Sequence, residues 1–410
     1  MSAASRWEWL DFDDAESKQV RDFLSQDAEG EGIDPLRIGA SVRDRIAEQL
    51  FPGTSTQYTR LRYVFLVPAL LRKQGATIGN LKQSQTALNE ALDKANLDET
   101  GVIGRRTRGR DFVHLYWTAV RTWKLLTPVT ADLRDVTVPN GLAALQSKTV
   151  ADEEGNPLLE HRVQWNPTVV RLADQFWADQ KTKGWPSVHC RKAEVNFILC
   201  QWLDLSNKPP LAAIAFQLRN GCPQSGAEYP WDVDVGGATA ARDQLDHAKA
   251  VSLICWSAQL AYNFALLKEA KRMDANGVAA TWKLRSRDLA TTEEQIEIAF
   301  DKWQAAFALE KSTLGPWTSP SYWEPLGSPV SRSFLASTAK LLATGKTDLK
   351  SGLWSAWVKE REKVNNPAPK LSNPNHLVTW SGTPEMAQRW DFRWKASVRR
   401  FVKDAENPHG

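Results

Sequence analysis

Apolar residues recur at three- and four-residue spacing along most of the chain, which is the period of amphipathic helices. Residues 39–50 follow this pattern, and the Phe-Pro-Gly sequence at 51–53 ends it. A long apolar helix is predicted next, capped by Thr54 or Ser55 and kinked at Pro68. The other helices predicted in this half of the chain cover residues 13–23, 80–95 and 112–125.

The second half of the chain is also predicted to be helical, and nothing in it has the alternating rhythm of a βα protein. Its predicted helices cover residues 191–205, 209–219, 240–273, 291–309, 331–343 and 351–363, with a basic helix ending the segment 380–403. Short β pairings are predicted near residues 136–138 and 233–235. The expected fold is therefore mainly α, with two packed helical halves and minor β. The expected domains are an N-terminal half (1–126), an irregular connector (127–166) and a C-terminal half (167–410).

The composition is that of a globular protein, with 42% hydrophobic and 24% charged residues. The four cysteines form no Cys-x-x-Cys pair, and no histidine stands at zinc-ligand spacing. We found neither a signal sequence nor an unbroken apolar run long enough to span a membrane. These features predict a cytoplasmic protein with no membrane partner, no metal and no cofactor. The net charge of +4 permits an anionic partner without requiring one.

Tryptophan is unusually frequent, with 19 tryptophans against 6 tyrosines. An indole ring fills a protein core well, and it also stacks on planar ligands such as nucleobases and sugars. Most of these rings are expected in the core, and several are left to line a groove. The candidates for stacking on a base or a sugar are Tyr116, Trp117, Trp380, Trp390 and Trp394.

A basic loop punctuated by glycines follows the helix predicted at 80–95. Its arginines are Arg105, Arg106, Arg108 and Arg110. Arginine forks bind phosphate oxygens in bidentate geometry, and glycines let backbone N–H groups approach the same anion. The loop lacks the lysine of a nucleotide-binding P-loop, so ATP hydrolysis has little support. It is either a phosphate-binding loop or a solvated charge cluster.

Hydroxyl groups and arginines form a second candidate anion site at the predicted start of the apolar helix. The residues are Thr54, Ser55, Thr56, Arg60 and Arg62. The N-terminus of a helix offers unpaired N–H groups and a positive dipole end to an anion. The alternative is an ordinary N-cap among surface residues. Together with the arginine loop, these residues are the predicted contacts to DNA phosphates.

A carboxylate among aromatic residues occurs near both ends of the chain. Asp391 lies between Trp390 and Trp394, with Arg393 two residues further on, and Asp11 has a similar aromatic setting. Apolar walls raise the pKa of a carboxyl, and a positioned aspartate can activate water or stabilise a cationic sugar. Asp391 is therefore a catalytic candidate, with Asp11 as the second. The alternatives are a buried Asp–Arg pair for Asp391 and a helix N-cap for Asp11.

Several of these segments together resemble a bacterial family of similar length that is classed as a domain of unknown function. The matching elements are Trp-Leu-Asp-Phe at 9–12, Phe-Pro-Gly-Thr-Ser-Thr at 51–56, Thr-Arg at 59–60, Arg-Tyr at 62–63, Gly-Val-Ile-Gly at 101–104, Tyr-Trp at 116–117, Trp-Ser-Gly at 380–382 and Asp-Phe-Arg-Trp at 391–394. The resemblance implies a bacterial, cytoplasmic protein linked to phage defence. It also suggests similarity to an anti-phage DNA glycosylase that excises glucosylated hydroxymethylcytosine.

The expected function is therefore a DNA glycosylase that removes a modified cytosine from phage DNA and leaves abasic sites. The arginines would neutralise phosphates, the aromatic rings would hold a flipped nucleotide, and one aspartate would assist cleavage. The resemblance supplies no catalytic residues, so Asp391 and Asp11 come from the residue pattern alone. The alternatives are a non-catalytic nucleic-acid-binding component of a defence system and a scaffolding protein.

Overall fold

The computed structural model describes most of the chain. The described residues are 34–73, 75–103, 105, 111–128, 136–146, 163–183, 186–275, 286–324, 326, 328–378, 380–384 and 387–409. Within these ranges most residues are helical and the strands form a two-stranded sheet, which confirms the mainly α class. The helix predicted at 13–23 lies outside the described residues.

The α-helices and the strands follow one another in chain order. They are α1 Asp44–Leu50, α2 Tyr63–Leu71, α3 Ile78–Ala95, α4 Phe112–Thr122, β1 Leu126–Pro128, α5 Val138–Gln146, β2 Val163–Trp165, α6 Pro167–Lys183, α7 Lys192–Leu203, α8 Pro210–Arg219, α9 Thr239–Ala275, α10 Ser286–Glu310, α11 Pro329–Ala343, α12 Gly352–Asn365, α13 Pro374–Leu377 and α14 Arg399–Glu406. Single π-helical turns at Gly39–Arg43 and Trp394–Val398 precede α1 and α14. Short 3₁₀ segments occupy Pro230–Asp232, Lys311–Thr318 and Pro320–Trp323.

The chain forms two compact units, each assembled from distant segments. The first unit combines the described residues up to Arg43 with Ala250–Trp390, and the second combines Asp44–Lys249 with Asp391–Gly410. Helix α9 contributes its first residues to the second unit and the remainder to the first. The predicted division into an N-terminal half (1–126), a connector (127–166) and a C-terminal half (167–410) stays a prediction.

Local hydrogen bonds explain why several predicted helices begin where they do. Thr77 Oγ1 accepts the N–H of Asn80 at 3.2 Å, and Asn80 Oδ1 accepts the N–H of Thr77 at 2.8 Å, which is a capping box at the start of α3. Asp111 caps α4 by accepting the N–H of His114 at 3.1 Å. These side chains take up N–H groups that the first helical turn leaves without partners.

The start of α2 was predicted too early. Thr54 and Ser55 lie in a turn, and the helix begins at Tyr63. The Thr54 hydroxyl donates to the carbonyl of Phe51 at 2.7 Å and so closes the preceding turn instead of capping a helix. Pro68 lies inside α2 as predicted.

The β pairings were predicted in the wrong places. Val138 is the first residue of helix α5, and Pro139 is well suited to the first turn of a helix. The N–H of Thr137 donates to Asn140 Oδ1 at 3.0 Å. Residues 233–235 follow a 3₁₀ turn and form no strand. The sheet instead pairs β1 with β2 in antiparallel register, with Leu126 opposite Trp165.

Helix α9 contains a long apolar stretch. Thr239–Asp274 is long and apolar enough to cross a membrane, yet its most apolar part is completely buried inside the protein. Its burial makes it a core helix of the described structure. The search for unbroken apolar runs in the sequence did not identify this stretch, because polar residues interrupt it.

Candidate functional site

The Phe-Pro-Gly-Thr loop after α1 packs against the end of α4. The N–H of Gly53 donates to Glu48 Oε1 at 3.0 Å, and Trp123 Nε1 donates to the carbonyl of Pro52 at 2.9 Å. Gly53 has a φ of +80°, and a Cβ there would lie 2.8 Å from Cβ of Thr122. Only glycine fits this close approach without a shift of the neighbouring backbone or side chain.

The C-terminal Asp-Phe-Arg-Trp motif binds the same loop within the second unit. Arg393 Nη1 donates to the carbonyl of Thr54 at 2.6 Å and to Glu48 Oε2 at 3.1 Å. The ring of Trp394 lies 5.9 Å from that of Phe51. Two motifs more than three hundred positions apart in sequence therefore meet in one place.

The backbone of this motif is strained. Phe392 and Arg393 have φ angles of 51° and 73°, and both are non-glycine residues in the left-handed region. Each such residue costs on the order of 1–3 kcal/mol and persists only where surrounding contacts enforce it. Asp391 stands just before them, half-buried, and its Oδ2 accepts the N–H of Lys395 at 3.1 Å. A catalytic role for Asp391 stays a prediction, and Asp11 lies outside the described residues.

The second unit also contains a cluster of ionisable side chains, which we call the Asp404 cluster. Its members are Arg60, Glu99, His189 and Asp404. Arg60 is buried and lies between carboxylates, with Nη2 3.3 Å from Glu99 Oε2 and Nε 3.5 Å from Asp404 Oδ1. Asp404 Oδ2 accepts the N–H of Leu61 at 2.9 Å. Glu99 and His189 remain partly exposed, so the cluster reaches the surface on their side.

The carboxyl of Asp404 is the most perturbed acid of the cluster. Burial raises its pKa from 3.8 to about 6, while Arg60 and the Leu61 N–H oppose the shift. A raised pKa near the working pH is typical of a carboxyl that exchanges protons during a reaction. Asp404 is also close enough to a guanidinium to hold a negative charge when it ionises.

Hydrogen-bond geometry fixes the state of His189. Arg60 Nη2 lies 3.1 Å from His189 Nδ1, and a guanidinium can only donate, so Nδ1 accepts. His189 Nε2 therefore carries the proton and donates to Glu99 Oε1 at 2.8 Å. Burial lowers the pKa of His189, against the opposing charge of Glu99. The imidazole is thus neutral and orients Glu99 and Arg60.

Tyr116, whose stacking on a base stays a prediction, is buried here and supports the Asp404 cluster. The Tyr116 hydroxyl accepts the N–H groups of Thr59 and Arg60 at 2.7 and 3.2 Å. Burial raises the pKa of Tyr116 to about 12, so the hydroxyl stays protonated. Its ring stacks on Tyr58, with centroids 4.3 Å apart. This contact fixes the backbone that carries Arg60.

Arg62 has a similar supporting position. Nη1 donates to the carbonyls of Ser187 and His189 at 2.9 and 2.6 Å, and Nε lies 3.5 Å from Glu194 Oε2. The side chain is 4% exposed. Arg62 therefore holds the segment that carries His189, and its guanidinium is turned inward in the described structure.

The other predicted phosphate contacts lie in different settings. Thr54 is buried, Ser55 is half-buried and Thr56 is exposed. Arg105 is bound to the end of α3, with Nε 2.5 Å from Asp93 Oδ1 and Nη1 donating to the carbonyl of Glu99 at 2.6 Å. The remaining loop arginines lie outside the described residues: Arg106, Arg108 and Arg110.

The predicted stacking tryptophans are buried, none more than 6% exposed. Trp117 Nε1 donates to the carbonyl of Val136 at 2.8 Å, and Trp394 Nε1 to that of Ala227 at 3.0 Å. In the first unit, Trp380 Nε1 donates to the carbonyl of Thr383 at 2.9 Å, and Trp390 is buried as well. Their stacking on a nucleobase stays a prediction, and it requires rings that are core side chains here to become accessible.

Sequence reasoning found Arg60 and Tyr116 but missed three members of the cluster: Asp404, Glu99 and His189. One signal was available for the first of them. Phe401, Val402 and Ala405 mark the apolar face of α14, and Asp404 falls on that face. An acid on the buried face of a basic helix needs a partner, which here is Arg60.

Comparison with known proteins adds a limited match. Residues 4–130 match the model of a family of unknown function, DUF6361. No curated protein and no solved structure matches the chain. The matched segment includes Gly53, Arg60 and Glu99, whereas His189 and Asp404 lie beyond it.

The raised pKa of Asp404 predicts a pH-dependent stability. Because the folded protein binds this proton more tightly than the unfolded chain, the stabilising contribution is complete below about pH 4 and is lost as pH rises through about 6. The difference between these two pKa values corresponds to about 3 kcal/mol of stability. Relative to Asp404→Asn, the free energy of unfolding of the wild type should fall by this amount from about pH 4 to about pH 7. Urea denaturation at both pH values measures it, and a difference independent of pH would contradict the prediction.

Proposed function

We propose that the protein is a DNA glycosylase of bacterial phage defence. It would hydrolyse the N-glycosidic bond of a glucosylated hydroxymethylated cytosine in phage DNA and leave an abasic site. The nature of the substrate and the link to defence rest on the family resemblance of the sequence motifs. The observation that carries the chemistry is the buried Asp404 carboxyl, whose pKa is raised to about 6 beside Arg60.

The chemistry of base removal suits such a group. Water adds to the sugar carbon as the base departs, and the sugar carries positive charge in the transition state. An ionised carboxylate stabilises that charge and accepts the proton of the attacking water. Near neutral pH, Asp404 is largely ionised and still basic enough to take a proton. Arg60 offers a positive charge that would hold the carboxylate in place between turnovers.

Incubation with modified DNA tests the proposal directly. Two duplexes of one sequence are compared, one with glucosylated hydroxymethylcytosine and one with plain cytosine, in buffer containing EDTA. Abasic sites are detected by alkaline cleavage. We expect cleavage of the modified duplex alone, without a divalent ion. Release from neither duplex, or activity that returns only with added metal, would refute this function.

A non-catalytic nucleic-acid-binding role is the second candidate. It is favoured by the burial of the predicted stacking rings, because a glycosylase must hold a flipped nucleotide between accessible groups. Salt-dependent binding of both duplexes without abasic sites would support this role.

DNA binding by the arginine loop makes a separate prediction. If Arg106, Arg108 and Arg110 contact phosphates, each replacement by Ala should lower the slope of log affinity against log salt by about 0.9. Affinity should fall for modified and plain DNA alike. Arg72→Ala is the control, since this arginine lies outside the loop and its Nε is already 2.5 Å from Asp174 Oδ1. A triple variant with unchanged affinity and slope would leave the loop as a solvated charge cluster.

A further inference from the structure

An apolar groove lies on the first unit between the start of α11 and the end of α12, and it has no part in the proposed glycosylase chemistry. Phe334 and Trp357 form one wall, with stacked rings 5.3 Å apart and 11° from parallel. Val330 and Val364 line the groove and are 55% and 72% exposed. Its volume is about 450 Å³, which is within the range of pockets for small organic ligands. We call it the Arg361 groove after its single cationic lining residue.

Arg361 is the unusual member of this lining. It is 5% exposed, Nε donates to the carbonyl of Leu36 at 2.9 Å, and Nη2 donates to Ser331 Oγ at 2.8 Å. The guanidinium lies over the Phe334 ring at 5.0 Å. Its Nη1 is buried and has no hydrogen-bond partner among the described residues. A buried guanidinium N–H without an acceptor is costly, so Nη1 is available to donate to a ligand. Asp34 lies close enough to interact with the charge of Arg361, and the exposed carboxylate of Glu360 also lines the groove, so a ligand anion must bind on the Arg361 side.

The N-terminus of α11 adds a second feature that favours a negatively charged ligand. The 15-residue helix begins at Pro329, which also lines the groove, so the positive end of its dipole lies at the same place. Ser328 caps the helix by accepting the N–H of Ser331 at 3.3 Å. Trp357 is held in position because its Nε1 donates to Thr338 Oγ1 at 3.2 Å. The apolar wall is therefore formed before any ligand binds.

We propose that the Arg361 groove binds a small organic anion with a flat apolar body, of the aromatic carboxylate class. The carboxylate accepts from Nη1 of Arg361 near the start of α11. The ring packs against the Phe334–Trp357 wall and under the exposed side chains of Val330 and Val364. The apolar wall supplies affinity, and the guanidinium supplies the selectivity for charge.

Two probes of the same shape test the charge requirement. 1-Naphthoate and its neutral isostere 1-naphthamide are titrated into the full chain by isothermal calorimetry. A charge-assisted hydrogen bond is expected to favour naphthoate by about 10–100-fold. Equal affinity for both probes would assign the groove to neutral apolar partners and overturn the proposal. So would the absence of naphthoate binding at about 1 mM.

Substitution locates the site. Val364→Glu places a negative charge at the rim on an exposed position, so it should leave the melting temperature unchanged and weaken naphthoate binding by at least about 10-fold. Leu309→Glu is the matched control, because Leu309 is 84% exposed on α10 and does not line the groove. Arg361→Lys should remove most of the preference for naphthoate over naphthamide. Unchanged binding by Val364→Glu would place the probe elsewhere and overturn the assignment.

Discussion

Asp404→Asn is expected to slow base release from modified DNA by about 10²–10⁴-fold, the usual contribution of a positioned acid or base. Asparagine keeps the size and one acceptor for the Leu61 N–H, but it can neither accept a proton nor hold a negative charge. The wild-type rate should rise as pH increases through about 6, because the ionised carboxylate is the active form. Single-turnover assays of abasic-site yield across this pH range measure both effects.

Matched variants separate Asp404 from the aspartates predicted on sequence grounds. Asp391→Asn tests the residue that precedes Phe392 and Arg393, and Asp11→Asn tests the candidate in the N-terminal segment. The melting temperature is recorded for each variant, so that loss of folding is not mistaken for loss of catalysis. Full activity of a well-folded Asp404→Asn protein, together with an inactive Asp391→Asn protein, would return the catalytic role to Asp391. Loss of the pH dependence without loss of rate would give Asp404 a supporting role only.

The helices were largely predictable because their signals are local. The capping residues of α3 and the proline that begins α8 stand in the sequence beside the apolar pattern that they start. The start of α2 failed for an equally local reason, since the Thr54 hydroxyl binds the carbonyl of Phe51 instead of a helical N–H. The β pairing failed because β1 and β2 are separated by most of the predicted connector, which leaves no hairpin signal to recognise.

The candidate site was predictable only where its residues form sequence motifs. Arg60 and Tyr116 stand in recognisable segments, and they do lie together. Asp404 binds the N–H of Leu61 across 343 positions, and His189 reaches Arg60 across 129. Periodicity and spacing in the sequence carry no information about such distant pairs, because the packing of whole helices decides which of these residues meet. Arg60 and Arg62 were expected at a surface, whereas each lies 3.5 Å from a buried carboxylate, that of Asp404 and that of Glu194 respectively.

Glu362→Ala is expected to have the largest effect on stability, lowering the free energy of unfolding of the first unit by about 3–5 kcal/mol. Glu362 is fully buried on α12. Its Oε1 accepts the Tyr262 hydroxyl at 2.6 Å and the N–H of Lys370 at 2.9 Å, and Oε2 accepts the N–H of Leu371 at 2.9 Å. Alanine would leave three buried donors without an acceptor and a cavity beside them.

Because of the same three donors, Glu362→Gln is expected to destabilise the protein less than Glu362→Ala does. Its amide oxygen can accept two of them, but its NH₂ group must face the third donor, so a loss of roughly 1–3 kcal/mol is expected. Glu360→Ala is the control on the same helix, because Glu360 is exposed and its loss should change stability by less than about 0.5 kcal/mol. Urea denaturation followed by tryptophan fluorescence ranks the three variants. If Glu362→Ala unfolds at the same urea concentration as Glu360→Ala, the three hydrogen bonds do not hold the segment after α12 in place.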